Sequence, residues 1–435
     1  MESDEDDEET QASFCRFLDD NFKLPISAYA PGCVPKVEIK ERLINMNAIR
    51  NKCNGLVFFI GATFLMPGNN VGYLALIAML VISLWQFPRK LMKHAYFAIF
   101  AFFMSFMLNL HYLPIYYKDI LTFSVIFLLV FTQPQNKYND FDKNKAISTL
   151  FFIMMFGIVL FSQVVMQLHI SPFDGIFRQL YVANDLYDFD GSLSEMLSSA
   201  YYRASGFLGN PNQCAKFCNL LLCFYLYNLP NNSRPSLIVL AEYVSIIVLA
   251  GSRTGMIVSL LILLVFFYLR SSNRLKFLRH TIIITIFVIL FIFPVLSYLR
   301  LFNFEEAVEY SLLIKLGVVG EYVNYSFNNV FDFIFGNFFV SSSLSLLKNE
   351  SIFSFSIFDS DLGYIYYSYG LLGIIALIVG LKNKYKLRII PVIFFSLFFW
   401  CISASIFMHF KFILLFYFMI LYCEIGYEPI VKSIK

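Results

Sequence analysis

Two short stretches of the chain each place an arginine beside the start of an apolar helix. They are Arg203-Ala-Ser-Gly-Phe-Leu-Gly-Asn-Pro-Asn-Gln213 and Gly251-Ser-Arg-Thr-Gly255. A helix N-terminus has unpaired backbone N–H groups and a partial positive charge, so an adjacent arginine makes a site suited to phosphate oxygens. The two stretches therefore predict a binding site for an anionic substrate, with Arg203 and Arg253 as its cations.

Capping residues predict three helix starts at or near these positions. Asn210 is suited to cap a helix whose first residue is Pro211, because a missing N–H costs nothing at that position. Ser252 is suited to cap a helix that contains Thr254. The third start lies at Asp359-Ser360-Asp361. A carboxylate is an ordinary N-cap, so both a structural role and a chemical role stay open for Asp359.

The composition is typical of an all-α, polytopic integral membrane protein. Hydrophobic residues make up 58% of the chain and charged residues only 14%, and the net charge of +3 is too small to suggest a nucleic-acid partner. A spanning helix needs roughly 20 apolar residues, and apolar segments near this length predict about twelve transmembrane helices. The approximate spans are Gly55 to Pro67, Val71 to Phe87, Ala95 to Leu113, Ile120 to Thr132, Ile147 to Leu168, Pro211 to Leu229, Ser236 to Ala250, Thr254 to Leu269, Thr281 to Leu299, Leu362 to Leu381, Ile389 to Ser405 and Phe410 to Cys423.

Basic residues in alternate breaks between these segments predict the orientation. By the positive-inside rule, the basic loops and both termini are cytoplasmic. The external loops are then the other breaks, and two of them are long, at about 169–210 and 300–361. The second of these lies between the ninth and tenth spans, and all three helix starts face outward. The basic breaks contain Arg50 and Lys52; Arg89, Lys90 and Lys93; Lys137, Lys143 and Lys145; Arg270, Arg274, Lys276 and Arg279; and Lys382, Lys384, Lys386 and Arg388.

The N-terminal region differs from the membrane domain at residues 55–435. Residues 1–54 begin with an acidic run and have no sustained apolar pattern, which predicts a disordered cytoplasmic segment. Met46 is an alternative start, so it stays open whether residues 1–45 belong to the native protein.

The cysteines imply no disulfide framework. Cys214 and Cys218 share a helix face, but no histidine accompanies them, so we interpret them as packing residues and predict no metal site.

The motifs resemble those of the O-antigen polymerase and ligase superfamily of bacterial surface-polysaccharide assembly. The shared pattern is an arginine followed by Gly-Phe-Leu-Gly-Asn-Pro-Asn, then Ser-Arg-Thr-Gly at the start of a later span. It covers the chain from about residue 55 to the C-terminus. Ligases of the superfamily carry a motif that begins with His and continues with Asn, Ser or Gln. Nine residues later it ends with two glycines that are separated by two residues. This chain has Asp359-Ser360, nine residues, then Gly370-Leu-Leu-Gly373. The spacing is retained without the histidine, which favours the polymerase.

The resemblance implies a GT-C-like fold in the bacterial inner membrane, with the active site facing the periplasm. The implied reaction is glycosyl transfer between undecaprenyl-pyrophosphate-linked repeat units, without a metal or other cofactor. Arg203 and Arg253 would stabilise the leaving pyrophosphate, and Asp359 would be the general base, with His409 as an alternative. The implied partners are the lipid-linked units and membrane lipid, together with a chain-length regulator and a flippase.

Substrate binding is predicted for a wider set of residues, and two other functions stay open. Tyrosines near the outer face stack on sugars in one interpretation and form an interfacial belt in another. One alternative function is an O-antigen ligase that transfers glycan to lipid A-core. The other is a lipid-linked oligosaccharide flippase or transporter, which an essential charge pair between Lys216 and Glu242 would favour. The predicted substrate-binding residues are Arg203, Asn210, Asn212, Ser252, Arg253, Thr254, Ser360 and Tyr364.

Overall fold

The computed structural model describes most of residues 54–425. The residues outside the description are 1–53, 68–69, 94, 109–116, 136–146, 182–203, 205, 209–210, 230–232, 272, 274, 277–278, 281, 283–329, 337–360, 385–409 and 426–435. The described residues are mostly helical, in agreement with the predicted all-α class.

Apolar runs free of internal proline form the helices, since a helix satisfies its backbone hydrogen bonds within one segment. Ten of the twelve predicted spans contain a described helix, while the ninth and eleventh lie almost wholly outside the described residues. In chain order the helices are α1 (Asn54–Leu65), α2 (Asn70–Gln86), α3 (Ala95–Leu108), α4 (Tyr117–Phe131), α5 (Thr149–Gln167), α6 (Phe173–Tyr181), α7 (Pro211–Asn228), α8 (Leu237–Ala250), α9 (Arg253–Arg270), α10 (Val330–Phe335), α11 (Asp361–Lys384) and α12 (Phe410–Ile425).

Among the described helices, α5 is the one that is both long enough and apolar enough to cross a membrane. It has 19 residues and a mean hydropathy of 2.3. The other apolar helices have apolar stretches of 10–17 residues. Large apolar side chains are exposed on several of them, and Trp85 of α2 is 84% exposed and Leu237 of α8 is 82% exposed. Such surfaces suit a lipid environment, whereas the number of spans stays a prediction.

Two helices, α7 and α12, supply much of the buried core. Fourteen of the 18 residues of α7 and fourteen of the 16 residues of α12 are buried. They contact each other through edge-on ring pairs, Phe217 with Phe412 at 4.8 Å and Phe224 with Tyr422 at 5.4 Å between centroids. A helix that is apolar on all sides belongs inside a bundle. The three cysteines of α7 are buried and form no disulfide, in agreement with their interpretation as packing residues.

A short two-stranded antiparallel sheet joins two breaks that the sequence predicts to be cytoplasmic. Strand β1 (Arg89–Leu91) follows α2 and pairs with strand β2 (Thr132–Pro134), which follows α4. In this register Arg89 lies opposite Pro134 and Leu91 opposite Thr132. The pairing brings the ends of α2 and α4 together, and these strands were not predicted from the sequence.

The tenth predicted span is not one continuous helix, because α11 is broken at Gly370. Gly370 has φ 59° and ψ −169°, and Gly336 after α10 has φ 72°. A Cβ atom at Gly370 would lie 2.5 Å from the backbone nitrogen of Gly336, and one at Gly336 would lie 2.4 Å from that of Gly370. Both positions therefore need glycine for conformation and for space. The first glycine of the Gly-Leu-Leu-Gly motif has a structural role.

The segment predicted to be the first long outer loop begins with α6, a helix without buried residues. Its Arg178 donates to Asp174 at 2.7 Å. The Tyr181 hydroxyl donates to the carbonyl oxygen of Leu65, at the end of α1, at 2.7 Å. Burial raises the pKa of the Tyr181 phenol, so the group stays a protonated donor. This bond attaches the start of the loop to α1.

Candidate functional site

The backbone directly after Arg203 is held between two helices. The Ala204 N–H donates to the carbonyl oxygen of Leu249 in the last turn of α8, at 2.9 Å. The Ala204 carbonyl oxygen accepts from Nε2 of Gln163, a residue of α5 that is 1% exposed, also at 2.9 Å. Leu249 lies four positions before Arg253 in the chain. The backbone segments that carry the two arginines are therefore neighbours.

A tight turn follows, and α5 holds it as well. Gly206–Leu208 form a 3-10 turn in which the Phe207 N–H donates to Ser162 Oγ at 3.2 Å. Gly206 has φ 56°, and a Cβ atom there would lie 2.4 Å from Ser162 Oγ. The first glycine of Gly-Phe-Leu-Gly is therefore required by both conformation and space. Ser162 and Gln163 together position residues 204–208. Neither of the two was predicted from the sequence as a site residue.

Ser252 caps α9, as predicted, and also binds the first stretch. Its Oγ accepts from the Gly255 N–H at 3.2 Å and donates to Asn212 Oδ1 at 2.9 Å. Ser252 is fully buried, with 0% exposure. Two predicted site residues from different stretches are thus in direct contact. We call the described residues of 203–213 and 251–255 the motif cluster.

Close packing of two first turns explains the glycine that ends the second stretch. A Cβ atom at Gly255 would lie 2.6 Å from the Cβ atom of Ala215, which is closer than two carbon atoms pack. Gly255 therefore lets the first turn of α9 contact α7. Since Pro211 is the first residue of α7, as predicted, the two helix N-termini lie side by side.

A buried hydrogen-bond network fastens these turns to α8. Ser259 Oγ donates to the Gly255 carbonyl oxygen at 2.6 Å, and Asn219 Nδ2 reaches the same oxygen at 3.3 Å. The Tyr243 hydroxyl donates to Asn219 Oδ1 and lies 2.5 Å from Ser259 Oγ. These three side chains are 1–7% exposed. Single polar residues on apolar helices, here Asn219 and Ser259, were the available signal for this network. The network was not predicted from the sequence.

Residues 190–316 match the family model of the O-antigen polysaccharide polymerase Wzy. This match supports the assignment of the chain to the Wzy family. The matched region contains both stretches of the motif cluster and ends before Asp359. A search of the curated proteins found no match. The Wzy match confirms the family that the motifs predicted, and it supports a role in O-antigen polymerisation in general terms.

The predicted site residues fall into three groups according to where the structure places them. Asn212 and Ser252 are in contact, as described above. Arg253 and Thr254 are the first two residues of α9, and Tyr364 is in the first turn of α11. Four predicted site residues lie outside the described residues, namely Arg203, Asn210, Asp359 and Ser360. The chemical roles of both arginines and of Asp359 therefore stay predictions.

A lysine that the sequence analysis did not identify lies beside the motif cluster. Lys411 is the second residue of α12 and is partly buried. Its Nζ atom is 5.9 Å from the ring centroid of Phe207 and 5.6 Å from that of Phe217, within cation–π range of both. A basic residue at the predicted outer start of the last span was the available signal. His409, the alternative base, is outside the described residues.

Two ionisable residues inside predicted spans were the main argument for a transporter. Lys216 of α7 is 2% exposed, and Glu242 of α8 is half-buried. Their helices, α7 and α8, pack against each other, and the transporter alternative stays a prediction. Within the described part of the chain, no group of His, Cys, Asp or Glu residues is placed to hold a metal ion.

Proposed function

We propose that the chain polymerises O-antigen by joining undecaprenyl-pyrophosphate-linked repeat units at the outer face of the bacterial inner membrane. The observation that carries this proposal is the motif cluster. The Ala204–Leu249 and Asn212–Ser252 hydrogen bonds bring together two stretches that each contain an arginine. Both stretches lie within the region matched by the Wzy family. The proposal includes a multi-pass fold of about twelve spans with cytoplasmic termini and a large external loop at about 300–361.

Contacts between helix ends support the alternating topology in this proposal. One set joins ends predicted to face outward, such as Tyr181 to Leu65 and Ala204 to Leu249. Another set joins ends predicted to face inward. In this set Arg270 donates to the carbonyl oxygens of Leu229 and Ser233, and Arg89 pairs with Glu424. Neither set mixes the two predicted sides, as a chain that crosses the membrane alternately requires.

In the proposed reaction, a hydroxyl oxygen of one lipid-linked unit forms a bond to the anomeric carbon of the growing glycan. The bond from that carbon to the pyrophosphate oxygen breaks, and undecaprenyl pyrophosphate leaves with the electron pair. Negative charge grows on the departing oxygen, so groups that bind it more tightly in the transition state lower the barrier. Arg203, Arg253 and the N-termini of α7 and α9 are the proposed stabilising groups.

The acceptor hydroxyl must lose its proton, and we propose Asp359 as the general base. Asp359 lies two positions before Asp361, the first residue of α11. Sugar and carrier contacts are proposed for the remaining predicted residues of the site, including Tyr364 at this same helix start. The glycosyl transfer in this proposal proceeds without a metal ion, and its charge stabilisation comes from the chain.

The test is polymerisation by the purified protein in lipid nanodiscs supplied only with undecaprenyl-pyrophosphate-linked repeat units. The wild type should produce a glycan ladder on a gel. Asp359→Asn should lower the rate by roughly a hundred- to ten-thousand-fold, because an amide caps a helix but does not accept the proton. Asp361→Asn is the matched control at the same helix start and should keep a near-normal rate.

Each other outcome of this assay points to a different assignment. Absence of glycan lengthening by the wild type would contradict the proposal. Movement of the lipid-linked unit between leaflets without lengthening would support a flippase, and transfer only to lipid A-core would support a ligase. A normal rate in Asp359→Asn would leave that residue as a cap and move the search for the base to Asp361 or His409.

A further inference from the structure

Lys411 contacts the motif cluster from a different part of the chain. Phe207 belongs to the 3-10 turn, and Phe217 lies in the second turn of α7. Because the Lys411 ammonium is within cation–π distance of both rings, it lies beside the 3-10 turn and the N-terminal half of α7. The start of α12 therefore places a positive charge beside the first of the two arginine-containing stretches, which itself contacts the second through Asn212 and Ser252.

Within the described part of the chain, no ion pair balances the charge of Lys411. No carboxylate of a described residue forms an ion pair with its ammonium group; the described pairs use Asp174 and Glu424, each with other partners. Its neighbours on α12 make aromatic contacts, since Phe410 stacks on Tyr73 and Phe412 packs against Phe217. Aromatic faces compensate only part of the cost of removing an ammonium from water. An anion from outside the protein would complete the balance.

We infer that Lys411 is a third cation of the substrate site and that it binds the pyrophosphate of the lipid carrier. This inference rests on the proposed function and assigns one residue to one part of its substrate. Lysine suits the role because its compact ammonium group on a flexible stem reaches a phosphate oxygen as a point charge. Arg203 and Arg253 would grip other oxygens of the same group.

A structural role and a binding role make opposite predictions for Lys411→Met. Methionine keeps an unbranched apolar chain of similar length against Phe207 and Phe217 and removes the charge. If the ammonium serves only the aromatic contacts, the variant should melt at a lower temperature without ligand. If it binds the carrier, the ligand-free variant should melt at an unchanged or higher temperature, since an unbalanced charge has been removed. The stabilisation by the carrier should then be lost.

The experiment measures the affinity of undecaprenyl pyrophosphate for the full-length protein in phosphatidylcholine nanodiscs. Lys411→Met should weaken binding by roughly ten- to a hundred-fold, the usual range for one lost charge-assisted hydrogen bond. Lys411→Arg should retain most of the affinity. Lys90→Met, the same change at an exposed lysine of β1, is the matched control and should bind like the wild type. A second arm replaces part of the lipid by phosphatidylglycerol to detect binding of ordinary anionic headgroups.

Equal carrier affinity in the wild type and Lys411→Met would overturn the inference while leaving the proposed function intact. The inference is also overturned if Lys411→Met changes only the response to phosphatidylglycerol. If Lys411→Met does not fold, Lys411→Gln replaces it, and failure of both to fold would assign the ammonium a structural role and reject the inference. A wild type that neither binds the carrier nor lengthens glycan would reject the proposed function itself.

Discussion

The positive charges at the two ends of α12, Arg89 and Lys411, have different partners. At the end predicted to face inward, Arg89 pairs with Glu424 at 2.9 Å, and the two side chains are 3% and 7% exposed. Arg89 also donates to the Thr132 carbonyl oxygen at 3.0 Å and lies 5.3 Å from the ring centroid of Tyr417. At the other end Lys411 has two aromatic contacts and no described carboxylate. Protein groups balance the charge of Arg89, whereas the anion that we infer for Lys411 would come from the substrate.

Helix polarity extends this comparison beyond α12. At the end predicted to face inward, Arg270 donates to two carbonyl oxygens beyond the C-terminus of α7, where a cation is electrostatically favourable. At the end predicted to face outward, Arg253 is the first residue of α9, where a cation is unfavourable unless an anion lies nearby. Arg270 therefore has a structural role, and ligand binding stays the role proposed for Arg253.

Among the variants that test this comparison, the largest effect is expected from removing the arginines predicted to face outward. Arg203→Ala and Arg253→Ala should each lower polymer formation by on the order of a hundred- to a thousand-fold or more, and lysine should rescue poorly because it lacks the planar two-point grip on phosphate. The measurement is the glycan ladder on surface polysaccharide at matched membrane abundance. Arg270→Ala is the inner control. Arg270→Ala should lower protein abundance but leave the amount of polymer per folded molecule unchanged. Full-length ladders from both Arg203→Ala and Arg253→Ala would contradict the comparison.

A large loss of stability, without loss of chemistry, is expected at the inner end of α12. Arg89→Met and Glu424→Leu should each destabilise the protein by about 3–5 kcal/mol, because each leaves one buried charge without its partner. The double variant should recover much of that loss. Unfolding of all four proteins in the same detergent gives the coupling energy. Simply additive effects would show that the pair does not stabilise α12.

The smallest effect is expected from the contact between the two first turns. Gly255→Ala should cost about 1–3 kcal/mol because its new methyl group would overlap the Cβ atom of Ala215. Adding Ala215→Gly should relieve the overlap and restore most of the stability and activity. Gly175→Ala in α6 is the control, since nothing lies within 4 Å of its added Cβ atom. Thermal unfolding and polymer yield are the two measurements, and failure of the second substitution to rescue the first would contradict this packing.

Local signals predicted the helices well and the breaks within them poorly. Pro211 begins α7 and Ser252 caps α9 because both effects act within one turn of the chain. Nothing local distinguishes Gly370 from a glycine inside a continuous apolar helix. Its break depends on the backbone of Gly336, which lies 34 positions earlier, in the segment predicted to be the second outer loop. The β1–β2 pairing was missed for the same reason, since two whole helices separate its three-residue strands.

The sequence by itself determined the class of the protein and the two stretches that characterise it. Apolar length, capping residues and motif order are properties of neighbouring residues, so they were available without the structure. Tertiary structure decided which residues complete the site. Gln163 reaches Ala204, Asn212 reaches Ser252, and Lys411 lies against Phe207, about two hundred residues earlier in the chain. These contacts exist because α5, α7, α9 and α12 pack together, and no local pattern specifies which faces of four apolar helices will meet.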